Sequence, residues 1–392
     1  MSIILFDDSA RESLFPLTFT RPVADLRIGI LTIAEKWAKH FKTATSFLTT
    51  DYLQEKFPGA AFASGLVING SVCPNPALLD AVNKLEEGDV LINGNVVIAL
   101  KGNGDAKALL SDISAYRKVE FQYEFNRIVY PEDIFRLNDA ELKSDFTLLT
   151  TGRTSSPLGS SNIILGDDIF AEDGASAECS TFNTKAGPIY LGANSEVWEG
   201  THIRGSFALC NNSQVKMGAK IYGMTTIGPY CRVGGEINNS VIHSYSSKGH
   251  EGFLGHAVLG EWCNIGADSN NSNLKNNYAE VKLWDYNKKN FRKTGMQFCG
   301  LVMADHAKCG INTMFNTGTV VGVSANVFGS GYPRNFIPDF AWGGAQGFEL
   351  YALNKVFETA EKVYERRERV FDDMERSLLS HVFELTKSYR NF

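Results

Sequence analysis

The run LGANSE-VWEGTH-IRGSFA-LCNNSQ-VKMGAK-IYGMTT-IGPYCR-VG, residues 191–234, puts an aliphatic side chain at every sixth position: Leu191, Val197, Ile203, Leu209, Val215, Ile221, Ile227 and Val233. That period suits neither a lone helix, which repeats about every 3.6 residues, nor an ordinary strand, which repeats about every 2. It is the pattern of a β-solenoid. Gly192, Gly228 and Gly234 follow their anchors as turn formers, and the phase reappears at Phe253, Leu259 and Ile265 and again at Met303, Cys309, Phe315, Val321 and Val327. Each unit supplies one short strand and one turn, with a single side chain aimed into a narrow interior. One rung cannot bury that side chain alone, so rungs must stack into a continuous aliphatic column and the ends must be covered.

Working outward, the solenoid is expected over residues 162–345, with irregular insertions near 235–252 and 270–300. Long excursions from a regular scaffold carry function more often than packing, so chemistry is sought there. Residues 1–150 read as strands at 3–6, 45–48, 65–68, 89–92 and 96–99 alternating with helices at 32–41 and 76–85. This is a Rossmann-like α/β layer of mostly parallel type. Residues 150–161, rich in Ser, Thr and Gly, read as a linker. Residues 348–392 carry Leu353, Val356, Phe357, Ala360, Val363 and Tyr364 at helical spacing amid dense charge. A helical segment is expected, capping the solenoid or packing on a partner.

Bulk composition narrows the function. The 392 residues are 44% apolar and 21% charged, the balance of a soluble globular protein. The N-terminal strand meets acidic residues at once and lacks a basic leader or a long apolar run, so a cytoplasmic location is expected. The seven cysteines are odd in number, form no C-x-x-C pair and fall mostly in apolar strands, which points to buried thiols rather than disulfides or zinc. A net charge of −6 argues against nucleic acid and membrane surfaces as partners. An anionic substrate must then be held by local Lys and Arg.

The densest cluster of reactive residues is Lys248-Gly249-His250-Glu251-Gly252-Phe253-Leu254-Gly255-His256-Ala257, followed by Cys263-Asn264-Ile265-Gly266-Ala267. Taken alone, His250 reads as a base or as a surface loop histidine with equal weight. The two segments together resemble the acetyltransferase half of the bifunctional UDP-N-acetylglucosamine pyrophosphorylase/glucosamine-1-phosphate N-acetyltransferases, whose left-handed β-helix carries G-H-x-x-Y-L-G-x-A and then N-I-G-A-G. The resemblance covers most of residues 190–330. It implies His250 as catalytic base, Asn264 as a sugar contact and acetyl-CoA as co-substrate. The chemistry is consistent: an amine must lose a proton as it attacks a thioester, and an imidazole can take it.

There are departures from that pattern. Phe253 stands where the family has a tyrosine, and the family's R-P-G becomes Val233-Gly234-Gly235 with Arg232 upstream. Lys248 and Lys275 are the candidate replacements in the phosphate clamp, and Asn277-Tyr278 resembles the family's Asn-Tyr pair at the sugar and coenzyme. Ala267, Lys308 and Asn312 fall where the family binds acetyl-CoA. His202, His243 and His256 have no comparable context and are assigned no chemical role. The segment 281–295 alternates like a hairpin, with a basic tip that reads as a coenzyme-phosphate contact or a solvated edge.

The N-terminal segment Phe6-Asp7-Asp8, Arg11, Leu14-Phe15-Pro16-Leu17-Thr18, Arg21-Pro22 is similar to the sugar-1-phosphate nucleotidylyltransferases. The family's glycine-rich phosphate loop is altered here, and Arg11, Arg21, Arg27 and Lys36 are the candidate nucleotide contacts, since Arg grips phosphate bidentately. Each also reads as a solvated surface cation. The resemblance implies Mg²⁺. Asn69 of Ile68-Asn69-Gly70 takes the place of the family's aspartate, Asn138-Asp139 resembles its second metal site, and the metal ligands stay unassigned. Over its whole length the chain most resembles the divergent Bacteroidetes form of the bifunctional enzyme. That implies a homotrimer acting on an amino-sugar 1-phosphate, acetyl-CoA, and UTP or another nucleoside triphosphate. Two alternatives stay open: an acetyltransferase of another amino sugar whose N-terminal domain binds a nucleotide without catalysis, and a non-enzymatic solenoid scaffold.

Overall fold

Apolar runs separated by turn residues build a six-stranded sheet at the N-terminal end of the chain: β1 (Ser2–Phe6), β2 (Thr45–Leu48), β3 (Ser64–Asn69), β4 (Asp89–Asn93), β5 (Val96–Asn103) and β6 (Arg117–Glu120). The structure, a computed structural model, describes residues 2–59 and 64–392. They fall into two compact units, the first made of Met1–Leu14, Thr18–Leu26 and Leu31–Tyr130, the second of Phe15–Leu17, Arg27–Ile30 and Pro131–Phe392.

In the first unit the strand order is β2-β1-β3-β5-β4-β6. β1 runs parallel to β2 and β3, whereas β5 runs antiparallel to both β3 and β4, so the sheet is mixed rather than mostly parallel. The reversal is local. Asn93-Gly94-Asn95 joins β4 to β5 by a two-residue turn with Gly94 at φ +55°, and a hairpin this tight forces antiparallel pairing. Ile4, Phe6, Val67, Val90 and Leu100 form one face of the core. The helix Ile33–Phe41 opens on a capping box between Thr32 and Glu35, buries Ile33, Ala34, Lys36 and Trp37, and closes on Lys42 in the left-handed conformation. Trp37 Nε1 donates to the Val72 carbonyl at 2.9 Å, which satisfies the one polar atom of a fully buried ring.

The second unit is a three-faced parallel coil. One face pairs nine strands, from Ile169–Ala171 through Phe207–Leu209 and Leu301–Met303 to Phe336–Ile337. A second holds Glu196–Val197, Gln214–Val215, Arg232–Val233, Ser247–Lys248, Asn264–Ile265, Lys308–Cys309 and Asn326–Val327 in register. The sixfold anchors from Leu191 to Val233 point inward as expected, and Phe182, Ile203, Leu209, Ile227 and Val321 belong to one buried column system.

After Val233 the structure corrects the sequence reading. Residues 236–248 are no insertion; they hold the strands Glu236–Asn238, Val241–Ile242 and Ser247–Lys248, a complete but shortened rung. The inward residues are Ile237, Ile242, Lys248 and Leu254, so the steps contract to four and five residues. Leu254, not Phe253, therefore pairs with Ile237 and fills the core. The excursion over 272–300 is real and contains the expected hairpin, Lys282–Asp285 against Asn290–Lys293. Its Arg292 is tied to Glu132 by two hydrogen bonds, which anchors that strand inside the unit. Residues 131–150 form the helices Pro131–Arg136 and Asn138–Thr150, and Asn138 donates to the Met224 carbonyl at 2.9 Å. Two C-terminal helices follow the coil, Leu353–Glu365 and Asp373–Leu385.

Candidate active site

Parallel pairing without a shift stacks outward-facing side chains as well as inward ones. On the face described above, Arg232, Ser247, Asn264 and Lys308 occupy successive rungs in direct register. This row floors a groove of about 930 Å³, whose wall is helix Leu353–Glu365 with Glu358, Glu361 and Lys362, continued by Arg366 and Arg367. His250 lines the same groove from the loop 249–252 and is exposed. Four residues singled out from sequence, Arg232, His250, Asn264 and Lys308, thus meet in one place.

The groove is cationic within an acidic chain. Arg232, Lys308, Lys362, Arg366 and Arg367 face it against Glu358 and Glu361. Arg367 is half-buried and is pushed below the usual guanidinium range, first by desolvation and then by Arg232. Lys216 is lowered by the same two causes, which marks a cluster of cations short of counter-charge. Lys308 donates from Nζ to the His306 carbonyl at 2.9 Å, and burial pushes its ammonium down to about 8. Such a cluster suits a phosphate or other polyanion.

One corner of the coil presents aromatic rings to this wall. Asn194, Asn212, Tyr230, Tyr245, Trp262 and His306 all have positive φ at equivalent turns, each with its N–H bonded to the rung below. Asn tolerates that conformation; Tyr and Trp are rare in it. Tyr230 stacks on Tyr245 at 4.7 Å and Tyr245 on Trp262 at 4.3 Å, and Tyr364 of the wall helix lies 4.0 Å from Trp262. This ladder escaped the sequence reading. The available signal was the replacement of Asn by Tyr and Trp at a fixed place in the repeat.

The other singled-out residues of this unit stand apart from the groove. Lys248 points into the coil interior and is 2% exposed, so it is no phosphate ligand as placed; its position is inward because the shortened rung puts it in line with Val233. Ala267 and Asn312 meet at another corner, where the Asn312 N–H donates to the Ala267 carbonyl at 2.8 Å. Lys275 donates to the Glu280 carbonyl, Asn277 accepts from the Ala279 N–H, and Tyr278 is exposed, all on the excursion. Phe253 is half-buried beside Asn270, which accepts its N–H. His256 is stacked near Phe298 and bonded to Asn239 and Asn273, and burial pushes it down to about 4, the state of a neutral packing histidine.

In the first unit, Asp7, Asp8 and Asn69 lie at or just past the carboxyl ends of the parallel strands β1 and β3, the edge at which open α/β sheets bind ligands. Arg127, missed from sequence, lies 2.5 Å from Asp8. Arg11 donates to the Thr18 carbonyl and the Tyr52 hydroxyl, and Arg21 pairs with Asp25 at 2.7 Å. Lys36 is buried on its helix. Arg27 falls in the second unit, where it donates to the Ile30 carbonyl.

These donors do not fit a resident Mg²⁺. Asn69 gives its amide to Asp8 and the Val97 carbonyl while its oxygen accepts from Ser71. Asp8 accepts from the Ala10 N–H and pairs with Arg127. Burial raises the Asp7 carboxyl above its usual range, against a hydrogen bond from Thr49. Among the described residues no three His, Cys, Asp or Glu side chains gather as a metal site, and no helix is long and apolar enough to cross a membrane. Asn138, which carries the resemblance to a second metal site, instead donates within the coil's unit, and Asp139 accepts from Ser206.

Residues 3–154 match the family of sugar nucleotidyl transferases. No match to a curated protein was found. Among solved structures, the Arabidopsis UDP-N-acetylglucosamine acyltransferase aligns with 14% identity over 61% of this chain and 98% of its own, with a TM-score of 0.26.

Proposed function

We propose that this protein is a bifunctional transferase that acetylates an amino-sugar 1-phosphate in the coil's groove and couples the product to a nucleotide in the N-terminal unit. The observation that carries the first half is the meeting of His250, Asn264 and Arg232 with Arg366 and Arg367 in one open cationic groove. In this reading Arg232, Arg366 and Arg367 hold the sugar phosphate, and Asn264 hydrogen-bonds the sugar. The free amine attacks the thioester carbonyl of acetyl-CoA and His250 takes its proton; the C–N bond forms, the C–S bond breaks and coenzyme A leaves as the thiol. Glucosamine 1-phosphate is the acceptor of choice, on the resemblance of the His250 and Asn264 segments to the acetyltransferase pattern.

In the N-terminal unit, a sugar-phosphate oxygen would attack the α-phosphorus of UTP and release pyrophosphate. The family match over residues 3–154 and the placing of Asp7, Asp8 and Asn69 at the strand ends support it. A second reading has one observation in its favour: Asp8 and Asn69 are saturated by Arg127, Ser71 and Val97, as befits a domain that binds a nucleotide without transferring it.

A coupled assay tests both. Purified protein with acetyl-CoA, glucosamine 1-phosphate, UTP and Mg²⁺ is expected to release free thiol and pyrophosphate. In His250→Ala, thiol release is expected to fall by about two to four orders of magnitude. Parent-like thiol release in that variant would sink the assignment of His250, and thiol without pyrophosphate in the parent would establish the second reading.

A further inference from the structure

The inward column Val197, Val215, Val233, Ile265, Cys309 and Val327 is broken once, by Lys248 between Val233 and Ile265. A lysine here takes an ammonium out of water, and a valine would fill the place without that penalty. The amine has definite partners. Its Nζ donates to the His250 carbonyl at 2.5 Å and to the Glu251 carbonyl at 3.3 Å. Both belong to the loop 249–252 that leaves the strand Ser247–Lys248 and re-enters the coil at Phe253.

The far end of the loop is held as well. Gly252 has φ +111°, and a Cβ there would lie 2.1 Å from the Ser269 carbonyl oxygen, so the chain passes against the next rung with no room for a side chain. Between these two fastenings His250 faces the groove. The groups around the amine are Glu251 and Asp268, which favour its charge, Lys220, which opposes it and pairs with Glu251 at 3.1 Å, and the Cys309 thiol of the interior.

We propose that Lys248 is a positioning residue for His250, gripping the loop's carbonyls from inside the coil so that the imidazole is presented to the groove at a fixed place. The assignment rests on the reading of His250 as the base. Its physical basis is that a displacement of roughly one ångström in a reacting group costs about a hundredfold in rate; the Asp268 N–H holds the Glu251 carbonyl at 3.0 Å and the Glu236 N–H holds that of Gly252 at 3.2 Å, while Lys248 holds the carbonyl of His250 itself.

The test compares full-length Lys248→Met and Lys248→Gln with the parent by thermal unfolding, amide hydrogen exchange over residues 249–252 and acetyl-CoA turnover. Methionine fills the interior without a donor, and glutamine keeps a neutral N–H donor. Lys248→Met is expected to unfold no earlier than the parent, to exchange about tenfold or more faster at 249–252, and to lose about tenfold to a hundredfold in kcat at unchanged KM for acetyl-CoA. Lys248→Gln is expected to recover most of the protection and of kcat. Parent-like exchange and kcat in Lys248→Met would overturn the proposal. So would a lower unfolding temperature with lost turnover and no change centred on 249–252, because the lysine would then serve packing alone. If the parent itself releases no thiol, the reading of His250 fails, while the exchange comparison still decides whether Lys248 holds the loop.

Discussion

Lys248 and Lys308 are both driven by burial from 10.5 down to about 8, and this has a consequence for stability. A folded-state value below the unfolded one means that the unfolded chain binds more protons between about pH 8 and 10.5. The penalty is therefore fully present below pH 8 and is relieved as pH rises through that window, by roughly 3 kcal/mol per lysine. Urea unfolding of the parent and of Lys248→Met near neutral pH and near pH 10 isolates the effect: Lys248→Met is expected to be the more stable at neutral pH, with the gap closing at high pH. A gap independent of pH would show that Lys248 is not the group responsible. The residue scale also marks where motif reading stopped. His250, Asn264, Arg232 and Lys308 were legible through the resemblance of their segments to the acetyltransferase pattern. Lys248 was misread as a phosphate contact because its direction depends on steps of four and five residues that a strict sixfold count passes over.

At the scale of the element, the groove exists because one helix docks on one corner of the coil. Tyr364 stacks on Trp262, and Arg369 lies over Tyr230 and Tyr245. Trp262 is 5% exposed and Tyr364 4%, so the contact is an anchor and not a surface touch. Trp262→Ala is expected to cost about 3–5 kcal/mol and to free the helix Leu353–Glu365. Thermal unfolding should show the loss, and hydrogen exchange should rise first in that helix; equal protection there would refute the anchoring role. The helix itself was legible from the spacing of Val356, Ala360 and Tyr364, which are its buried residues. Its partner was not, since an aromatic in a turn of the repeat says nothing about what will lie over it. The mixed sheet of the first unit teaches the same lesson in reverse. Asn93-Gly94-Asn95 was a readable hairpin signal, and weighing it would have turned β5 antiparallel from sequence alone.

At the scale of the whole molecule, the candidate residues sort into two units. Asp8→Asn, in the first unit, weakens the pair with Arg127 at the strand ends and is expected to lower pyrophosphate release while leaving thiol release at the parent level. Loss of both signals would show that the reactions are not separable in this way. We also expect a homotrimer in solution, as the resemblance implies, and light scattering at micromolar concentration decides between one and three chains. The coil could be read from the chain alone, because a six-residue aliphatic period has only one economical way to be buried. The His250 and Asn264 segments were singled out by their resemblance to the acetyltransferase pattern. Folding in three dimensions turns Lys248 inward, brings Arg366 and Arg367 from just past a distant helix to face Arg232, and sets Arg127 against Asp8 from across the first unit. Those facts depend on contacts between residues far apart in the chain, and a periodic pattern constrains only the neighbours it repeats.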